Sequence, residues 1–430
     1  MPETLRLDHR GPITLESALD KDLNIINETS YFAAAEELYQ VLWVSRRTIE
    51  ALVRHHLALG NGESCKCVVE PRNRWLRGSF NVCVPVEVQS RGAHKLVFRC
   101  AMPHKLAEAR YPDTVDEKMS FEVGTYVWMQ DWCADVRIPH LYWFGFSDHR
   151  HFTCEDQMPF YVRLWRAIQT PPPPFERRGD PVRRQRLFQG MARAILSLAR
   201  VPQPRIGSFE FRPDGTVTLT SRPWPCCVAI LENGGAPRIM PRGETYTCVE
   251  PFVADMLAFH DESFLTNKNA VFDASDCRGQ MTARAILRTL SHHYVSRARR
   301  GGPFRLQLTD FHASNIFVDD DWNVTCLIDL EWICSLPAEN DDLCEFDKVH
   351  QEFLEVLEEE EIEMTPGRKP ALANILRESW ESGAVWFCHC LLSGCFPNTG
   401  VRGSTRVVSR KVDDYEEYAK ELEHGFNKAT

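Results

Sequence analysis

The sequence predicts an α+β fold in two lobes, in which a small antiparallel sheet with one helix precedes a mainly helical carboxy-terminal lobe. Residues 75–88 and 96–100 alternate as strands do, and residues 115–131 return to helical spacing. Four consecutive prolines at 171–174 then interrupt the chain, because proline cannot continue a helix and favours an extended linker. Beyond them, apolar residues recur mostly at helical spacing, which indicates a second and largely helical unit.

The first lobe is expected to follow a loose amino-terminal arm, residues 1–30, which carries little pattern. Alanines, leucines and glutamates at helical spacing predict one helix over 31–59, ended by Gly60-Asn61-Gly62. The two strands and the helix already described follow, and residues 138–146 are extended and rich in aromatic side chains. We therefore predict an amino-terminal lobe over residues 31–168.

The carboxy-terminal lobe is predicted over residues 183–430, after a proline-rich linker or hinge at 169–182. Asp214-Gly215 predicts the turn of a β-hairpin over 206–220, since this dipeptide adopts the tight turns that join antiparallel strands. Helices are predicted over 183–200, 252–264, 276–295, 346–364, 374–392 and 412–425.

Composition narrows the class of protein. The chain has 430 residues, of which 43% are hydrophobic and 26% charged, which is typical of a globular protein. A net charge of −10 argues against a nucleic-acid-binding protein, which needs a dominant positive field. The sixteen cysteines show no paired C-x-x-C spacing, so we expect reduced thiols rather than a cysteine-based zinc site. Residues 1–11 lack the apolar core of a signal peptide, and we expect a soluble cytoplasmic protein without a membrane partner.

The residues that carry chemistry lie on one loop and one hairpin. Asp310 follows a predicted strand, Asn315 begins the next strand, and Asp329 ends the strand that returns antiparallel to it. The turn between these two strands is rich in Asp and Asn, which tolerate turn dihedrals. The hairpin therefore brings the three oxygen-bearing side chains to one end. Phosphoryl transfer requires such a set: one carboxylate to orient the acceptor hydroxyl, and an amide oxygen with a second carboxylate to hold magnesium.

This stretch resembles the aminoglycoside phosphotransferase family, which consists of kinase-like enzymes related in fold to protein kinases and choline kinases. The family's loop reads approximately H-G-D-x-H-x-x-N, and its metal motif reads I-D-W/F-E. The chain has Asp310, His312, Asn315, Asp329 and Glu331 at the matching places. It is most similar to the uncharacterised fungal members, in patches from about residue 48 to about residue 360.

The resemblance implies a protein-kinase-like fold, ATP and Mg²⁺ as cofactors, and an amino-terminal lobe that binds the nucleotide. Gly78, Ser79 and Asn81 match the loop that covers the phosphates. Arg99 stands where kinases usually have a lysine that contacts the phosphates, and Glu122 on the next helix would hold it in place. The implied roles are catalysis by Asp310 and magnesium binding by Asn315 and Asp329. His312 is expected either to brace the loop or to be a packed structural residue.

The chain departs from the family pattern at three places. Leu308 replaces the first histidine of the loop, and the segment after Trp332 is short. Between the lobes, either residues 160–165 serve as the hinge or the hinge segment is missing. These departures keep two further readings open beside a kinase with a small hydroxylated substrate: a non-catalytic kinase-like protein that binds a nucleotide or a partner, and a metal-dependent hydrolase that uses Asp310, His312 and Asp329. The acceptor and the oligomeric state are not predicted.

Overall fold

The computed structural model describes residues 4–5, 7, 12–19, 21, 24–59, 66–90, 92–154, 180–339, 347–393 and 405–428. Within these ranges the strands are β1 (Thr4–Leu5), β2 (Ile13–Thr14), β3 (Lys66–Val69), β4 (Leu76–Arg77), β5 (Asn81–Ser90), β6 (Gly92–Ala101), β7 (Trp143–Gly145), β8 (His151–Thr153), β9 (Ser208–Phe211), β10 (Val217–Ser221), β11 (Arg305–Leu308), β12 (Ile316–Val318), β13 (Val324–Leu327) and β14 (Ile333–Leu336). The α-helices are α1 (Leu15–Leu19), α2 (Ile25–Val44), α3 (Arg46–His56), α4 (Thr114–Trp132), α5 (Pro181–Ala199), α6 (Cys226–Gly234), α7 (Val249–Thr266), α8 (Ala274–Tyr294), α9 (Asp347–Met364), α10 (Ala371–Ser382), α11 (Ala384–Ser393) and α12 (Thr405–Lys428). The fold is therefore α+β, with small antiparallel sheets and many helices.

The largest sheet is built around β5. This strand pairs antiparallel with β6 along its whole length and with β3 and β4 on its other side. Val82, Val84 and Val86 on β5 are fully buried and pack in one cluster with residues of α2 and α3. Successive strand residues point to opposite faces, so Asn81 and Cys83 lie on the other face. Arg99 on β6 is the register partner of Cys83, which puts its side chain on that second face.

The carboxy-terminal half carries two strand pairs that frame the Asp310 loop. Strand β11 leads into the loop and pairs with β14, while β12 and β13 form the hairpin that follows it. Both pairs are antiparallel, as is the β9–β10 hairpin turned at residues 212–216. The paired strands 316–318 and 324–327 agree with the predicted hairpin, whereas β14 was not predicted. All four of its residues are buried.

Two predicted helices are each two helices in the structure. The segment predicted as 31–59 divides at Ser45 into α2 and α3, and α2 begins earlier, after Asn24, whose side-chain oxygen accepts a hydrogen bond from the backbone of Asn27. The segment predicted as 374–392 divides at Gly383, which has a φ of 77°. A left-handed residue ends a helix, and glycine adopts it without a steric penalty.

The prediction of a loose arm over residues 1–30 is wrong for the described part of that segment. Leu7, Ile13 and Ile25 are buried in one cluster with Tyr418 and other residues of α12. The backbone N–H of Ile25 donates to the hydroxyl of Tyr418 at 3.0 Å. The two ends of the chain are thus packed together, which a pattern search within either end cannot detect.

The region predicted as linker and hinge falls largely outside the described residues. The hinge candidate at 160–165 and the proline run lie outside the described residues, which leave out 155–179. Asp180 caps α5, because its side chain accepts hydrogen bonds from the backbone of Val182 and Arg183. The division into two lobes stays a prediction.

Two further sequence expectations concern the whole chain. None of the helices in the described part is both long enough and apolar enough to cross a membrane. Among the described residues, Cys133, Cys277, Cys326 and Cys334 are buried free thiols.

Candidate functional site

The Asp310 loop is held closed by Asn315. The side-chain amide of Asn315 donates to the backbone carbonyl of Asp310 at 2.9 Å and to its carboxylate at 3.3 Å. Asn315 is only 5% exposed and ends the short 3-10 turn that leads into β12. At the start of the loop, the hydroxyl of Thr309 donates to the carbonyl of Trp332 at 2.6 Å. These bonds fix the position of the Asp310 carboxylate relative to both strand pairs.

His312 braces this loop from the solvent side. Its Nε2 lies 3.3 Å from a carboxylate oxygen of Asp310, and its Nδ1 lies 2.6 Å from the hydroxyl of Ser314. The imidazole is 54% exposed, so His312 is not a packed structural histidine. The structure therefore favours the bracing role over the packed alternative.

Asp329 lies beside Asn315 because the hairpin returns to it. The backbone N–H of Ile328 donates to the carbonyl of Asn315 at 3.0 Å, and Asp329 follows directly. Its backbone is left-handed, with a φ of 59°, which is uncommon for a residue other than glycine and costs on the order of 1 kcal/mol. The surrounding contacts must hold this conformation, and they include an ion pair.

That ion pair is with Arg99, whose guanidinium is shared by three carboxylates. Its Nη1 donates to Glu122 on α4, and its Nη2 donates to Asp329. Nη2 also lies 2.9 and 3.0 Å from the two carboxylate oxygens of Glu331. The planar, forked guanidinium can serve several acceptors at once, which a lysine ammonium at this position could not do in the same geometry.

Lys118 is a second buried cation in the network, and the sequence interpretation missed it. Its ammonium lies 3.1 Å from a carboxylate oxygen of Glu122 and 3.1 Å from one of Glu331. It also donates to the side-chain oxygen of Asn81 at 3.1 Å, while the amide of Asn81 donates to Glu331 at 2.9 Å. Lys118 is four residues before Glu122, the spacing that places two side chains on one helix face. That spacing was the available signal.

Two cations thus face three carboxylates, so one negative charge is not balanced within the network. Asp329 is the most exposed of the three carboxylates. Burial raises the pKa of Asp329 to about 6; Arg99 opposes this, and the neighbouring Glu331 and Glu122 add to it. Burial would also raise the pKa of Glu331, but Arg99 and Lys118 outweigh it and hold that pKa at about 2. Asp329 is therefore the member of the network that gains most from an added cation.

Asp310 has fewer charged neighbours than Asp329. Its pKa is raised by burial, with a contribution from Glu331, while His312 and Asn315 act in the opposite direction. A carboxylate with a raised pKa is a stronger proton acceptor than an ordinary one. Asp310 thus has the environment of a group that could accept or orient a hydroxyl proton.

The predicted phosphate-covering loop divides into an exposed and a buried part. Gly78 and Ser79 are exposed, and a Cβ built at Gly78 would meet only the carbonyl of Asn81, at an ordinary 3.7 Å. The fold itself therefore does not require glycine at position 78. Asn81 is 6% exposed, and its amide is committed to Glu331 and Lys118. In this structure Asn81 stabilises the ionic network instead of lining an open loop.

A cavity of about 580 Å³ adjoins the network. Arg99, Glu122 and Asp329 lie in its wall, together with apolar residues of α2, α3, α4 and β6 and with residues 139–145. Ligand sites of this kind combine a largely apolar lining with a few polar groups at one end. Asp310 and Asn315 are not among the residues of its wall, so the cavity meets the site on the Arg99 side.

The donor set is compatible with Mg²⁺. Asp310, Asn315 and Asp329 offer carboxylate and amide oxygens, which hard cations prefer, and Mg²⁺ is usually held by one or two carboxylates together with substrate phosphates. Within the described ranges these residues do not form a compact group of three acidic ligands. Asn315 and substrate oxygens would have to complete the coordination. Asp329 would also have to exchange its contact with Arg99.

Comparison with known proteins adds little. No protein-family model matches the chain, and no curated protein matches it. A solved structure, a point mutant of aminoglycoside 2'-phosphotransferase-IIIa in complex with GDP, is distantly similar, with 15% sequence identity and a TM-score of 0.39. The match covers 90% of this chain and 100% of that chain. A similarity this low supports no conclusion about function, so a functional proposal has to be based on the geometry of the site.

Proposed function

We propose that the chain is an ATP-dependent phosphotransferase that transfers the γ-phosphate to a hydroxyl of a small-molecule acceptor. The observation that carries the proposal is the arrangement around Arg99. One guanidinium joins Glu122 of α4 to Asp329 at the end of the β12–β13 hairpin, and the same hairpin holds the Asp310 loop through Asn315. Residues far apart in sequence thus form one acidic and basic cluster beside a cavity.

The proposed roles follow from the chemistry of each side chain. Asp310 orients the acceptor hydroxyl and accepts its proton, since burial raises its pKa and Asn315 and His312 fix its position. Arg99 neutralises phosphate charge, and Glu122 holds the guanidinium in place. Asn315 and Asp329 would hold Mg²⁺, which supplies further neutralisation of the phosphate oxygens. Positioning and electrostatics supply the catalysis, so no covalent nucleophile is needed.

The test compares ADP formation by the wild-type chain and by Asp310→Asn over a panel of hydroxylated acceptors, with ATP and magnesium. Loss of a positioned base should lower turnover by about 100-fold or more. Asp320→Asn, the same change at an exposed position of the neighbouring turn, is the matched control and should keep full activity. Equal turnover by wild type and Asp310→Asn with every productive acceptor would exclude the catalytic role.

A second candidate function is supported by one observation. The guanidinium of Arg99 is fully engaged with acidic side chains, including the Asp329 that would hold the metal. A protein that keeps this pairing would bind a nucleotide or a partner without transferring phosphate. Stabilisation of the chain by ATP in a thermal-shift titration, without ADP formation over the whole acceptor panel, would favour this non-catalytic function over the first.

A further inference from the structure

Three histidines lie close together and form a cluster separate from the carboxylates of the Arg99 network. His55 and His56 are in the last turn of α3, and His151 begins β8. Their ring centroids are 5.0 Å apart for His55 and His56, 4.9 Å for His56 and His151, and 5.8 Å for His55 and His151. One nitrogen of each ring lies within 4.8 Å of the corresponding nitrogens of the other two.

His56 is the fixed member of this histidine cluster. It is 7% exposed, and its ring stacks on Trp143 at 4.6 Å with the planes 8° apart. Its Nδ1 lies 2.7 Å from the hydroxyl oxygen of Thr153. Its Nε2 is buried and has no hydrogen-bond partner. Leaving such a nitrogen unsatisfied is unfavourable, so Nε2 of His56 is a buried polar atom that a bound cation would satisfy.

The contact with Thr153 explains which nitrogen is the ligand. When Nδ1–H donates to the threonine hydroxyl, the neutral ring carries its lone pair on Nε2. Histidines that bind metals commonly donate their other ring N–H to an oxygen acceptor, which fixes both the tautomer and the ring orientation. The 2.7 Å contact between Nδ1 of His56 and the hydroxyl of Thr153 is compatible with this arrangement.

We propose that His55, His56 and His151 bind one Zn²⁺ ion. Imidazole nitrogen is a good ligand for Zn²⁺ and Cu²⁺ and a poor one for Mg²⁺, so the histidine cluster and the oxygen-rich site at Asp329 select different metals. Zn–N bonds of about 2.0–2.1 Å in a tetrahedral site imply ligand nitrogens roughly 3.4 Å apart. The three nitrogens lie within 4.8 Å of one another, and the exposed side chains of His55 and His151 can rotate to reach the spacing that the ion needs. A water molecule would take the fourth position.

The position of the ion suggests its effect on the molecule. It would link the end of α3 to the β7–β8 hairpin, and both of these elements contribute to the wall of the 580 Å³ cavity, through Val53 and Trp143 among others. The carboxy-terminal end of α3 also carries the negative end of the helix dipole, which favours a cation there. Binding should therefore stabilise the folded chain. This proposal does not depend on the proposed phosphotransfer.

The test measures zinc binding to the metal-stripped full-length chain by competition with a chromophoric chelator. Wild type should bind one more equivalent than His55→Ala or His151→Ala, and both histidines are exposed, so these changes should leave the fold intact. Thr153→Val should keep the site but weaken it by about 10–100-fold, because the support of His56 is removed. His149→Asn, in the same hairpin but outside the histidine cluster, should bind as wild type does.

The chain also has cysteines that could bind zinc, and X-ray absorption at the zinc edge separates the two kinds of site. The proposal expects a shell of imidazole nitrogens that disappears in His151→Ala. A thiolate sulfur shell, or a zinc stoichiometry and affinity unchanged by all three changes, would overturn it. So would loss of zinc binding in His149→Asn to the same degree as in His151→Ala.

Discussion

Arg99 and Asp329 form an ion pair between residues 230 positions apart, which joins the edge strand of the amino-terminal sheet to the end of the β12–β13 hairpin. The residue proposed to bind phosphate and the residue proposed to bind the metal therefore contact each other directly. A polyphosphate that binds Arg99 and a cation that binds Asp329 would each replace part of this contact. The pair would thus make the binding of the two ligands interdependent.

Replacement of Arg99 by lysine should weaken both the fold and nucleotide binding. One ammonium cannot reproduce the contacts to Glu122, Asp329 and Glu331, so we expect the free energy of unfolding to fall by about 1–3 kcal/mol. Arg72→Lys, at an exposed pair with Glu36, is the control and should cost about 0–1 kcal/mol. Denaturant unfolding and calorimetric titration with an ATP analogue measure the two effects. Identical behaviour of both variants would contradict a special role for the forked guanidinium.

Lys118→Met should be among the most destabilising single changes in the site. Lys118 and Glu331 are each only 1% exposed, so removing the ammonium leaves a buried carboxylate with less compensation, at a cost of about 3–5 kcal/mol. Lys95→Met is the matched control, because Lys95 pairs with Glu70 at 3.4 Å but is 33% exposed. Its expected cost is about 0–1 kcal/mol. A loss in Lys118→Met no larger than in the control, measured by urea unfolding, would show that Arg99 alone neutralises the network.

Asp329 should make stability fall as the pH rises through the weakly acidic range. The folded state holds its proton up to a pKa of about 6, whereas the unfolded chain releases it near the ordinary value of about 3.9, so the folded state loses relative stability between these values. Asp329→Asn should remove this slope and leave the variant more stable than wild type at neutral pH. Because the side chain is 34% exposed and solvent screens it, the gain should be on the order of 1 kcal/mol.

Stability curves of both proteins from pH 4 to pH 8 measure this effect. Parallel curves would mean that Asp329 ionises normally beside Arg99. Magnesium should stabilise wild type more at pH 8 than at pH 5, since only the ionised carboxylate binds the cation.

Gly190→Ala should disturb the packing of α5 beneath the hairpin. A Cβ at position 190 would lie 2.4 Å from a methyl carbon of Val324 and 2.6 Å from its Cβ, so the helix and β13 would have to separate. We expect a loss of about 1–3 kcal/mol, as for other overpacked positions. Gly243→Ala, where an added Cβ meets nothing within 4 Å, is the control. The comparison is by thermal unfolding, and equal melting temperatures would show that Val324 adjusts without strain.

Local pattern was sufficient for much of the fold around the site. The spacing of residues 304–329 predicted a strand, a loop and a returning hairpin, and the structure has β11, β12 and β13 there. The helix predicted at 115–131 is present as α4. Such elements depend on periodicity and turn residues within short stretches of chain, so they can be read without knowing the neighbours.

Contacts between residues far apart in sequence could not be predicted from local pattern. Nothing near Lys118 in sequence marks it as a partner of Glu331, and nothing near residue 25 points to Tyr418. His55 and His151 are likewise separate in sequence and adjacent only after folding. Burial is a property of the assembled molecule, which is why the sequence matched Asn81 to a phosphate-covering loop without showing that its side chain is enclosed.

By itself, the sequence determined which residue types stand at the ends of adjacent strands, namely Asp310, Asn315 and Asp329, because backbone pairing in a hairpin is local. Tertiary structure alone decided how their charges are balanced. Burial acts to raise the pKa of both Glu331 and Asp329, and their distance from Arg99 and Lys118, which come from the other half of the chain, decides how far the cations oppose that rise. That distance exists only once the two halves are packed.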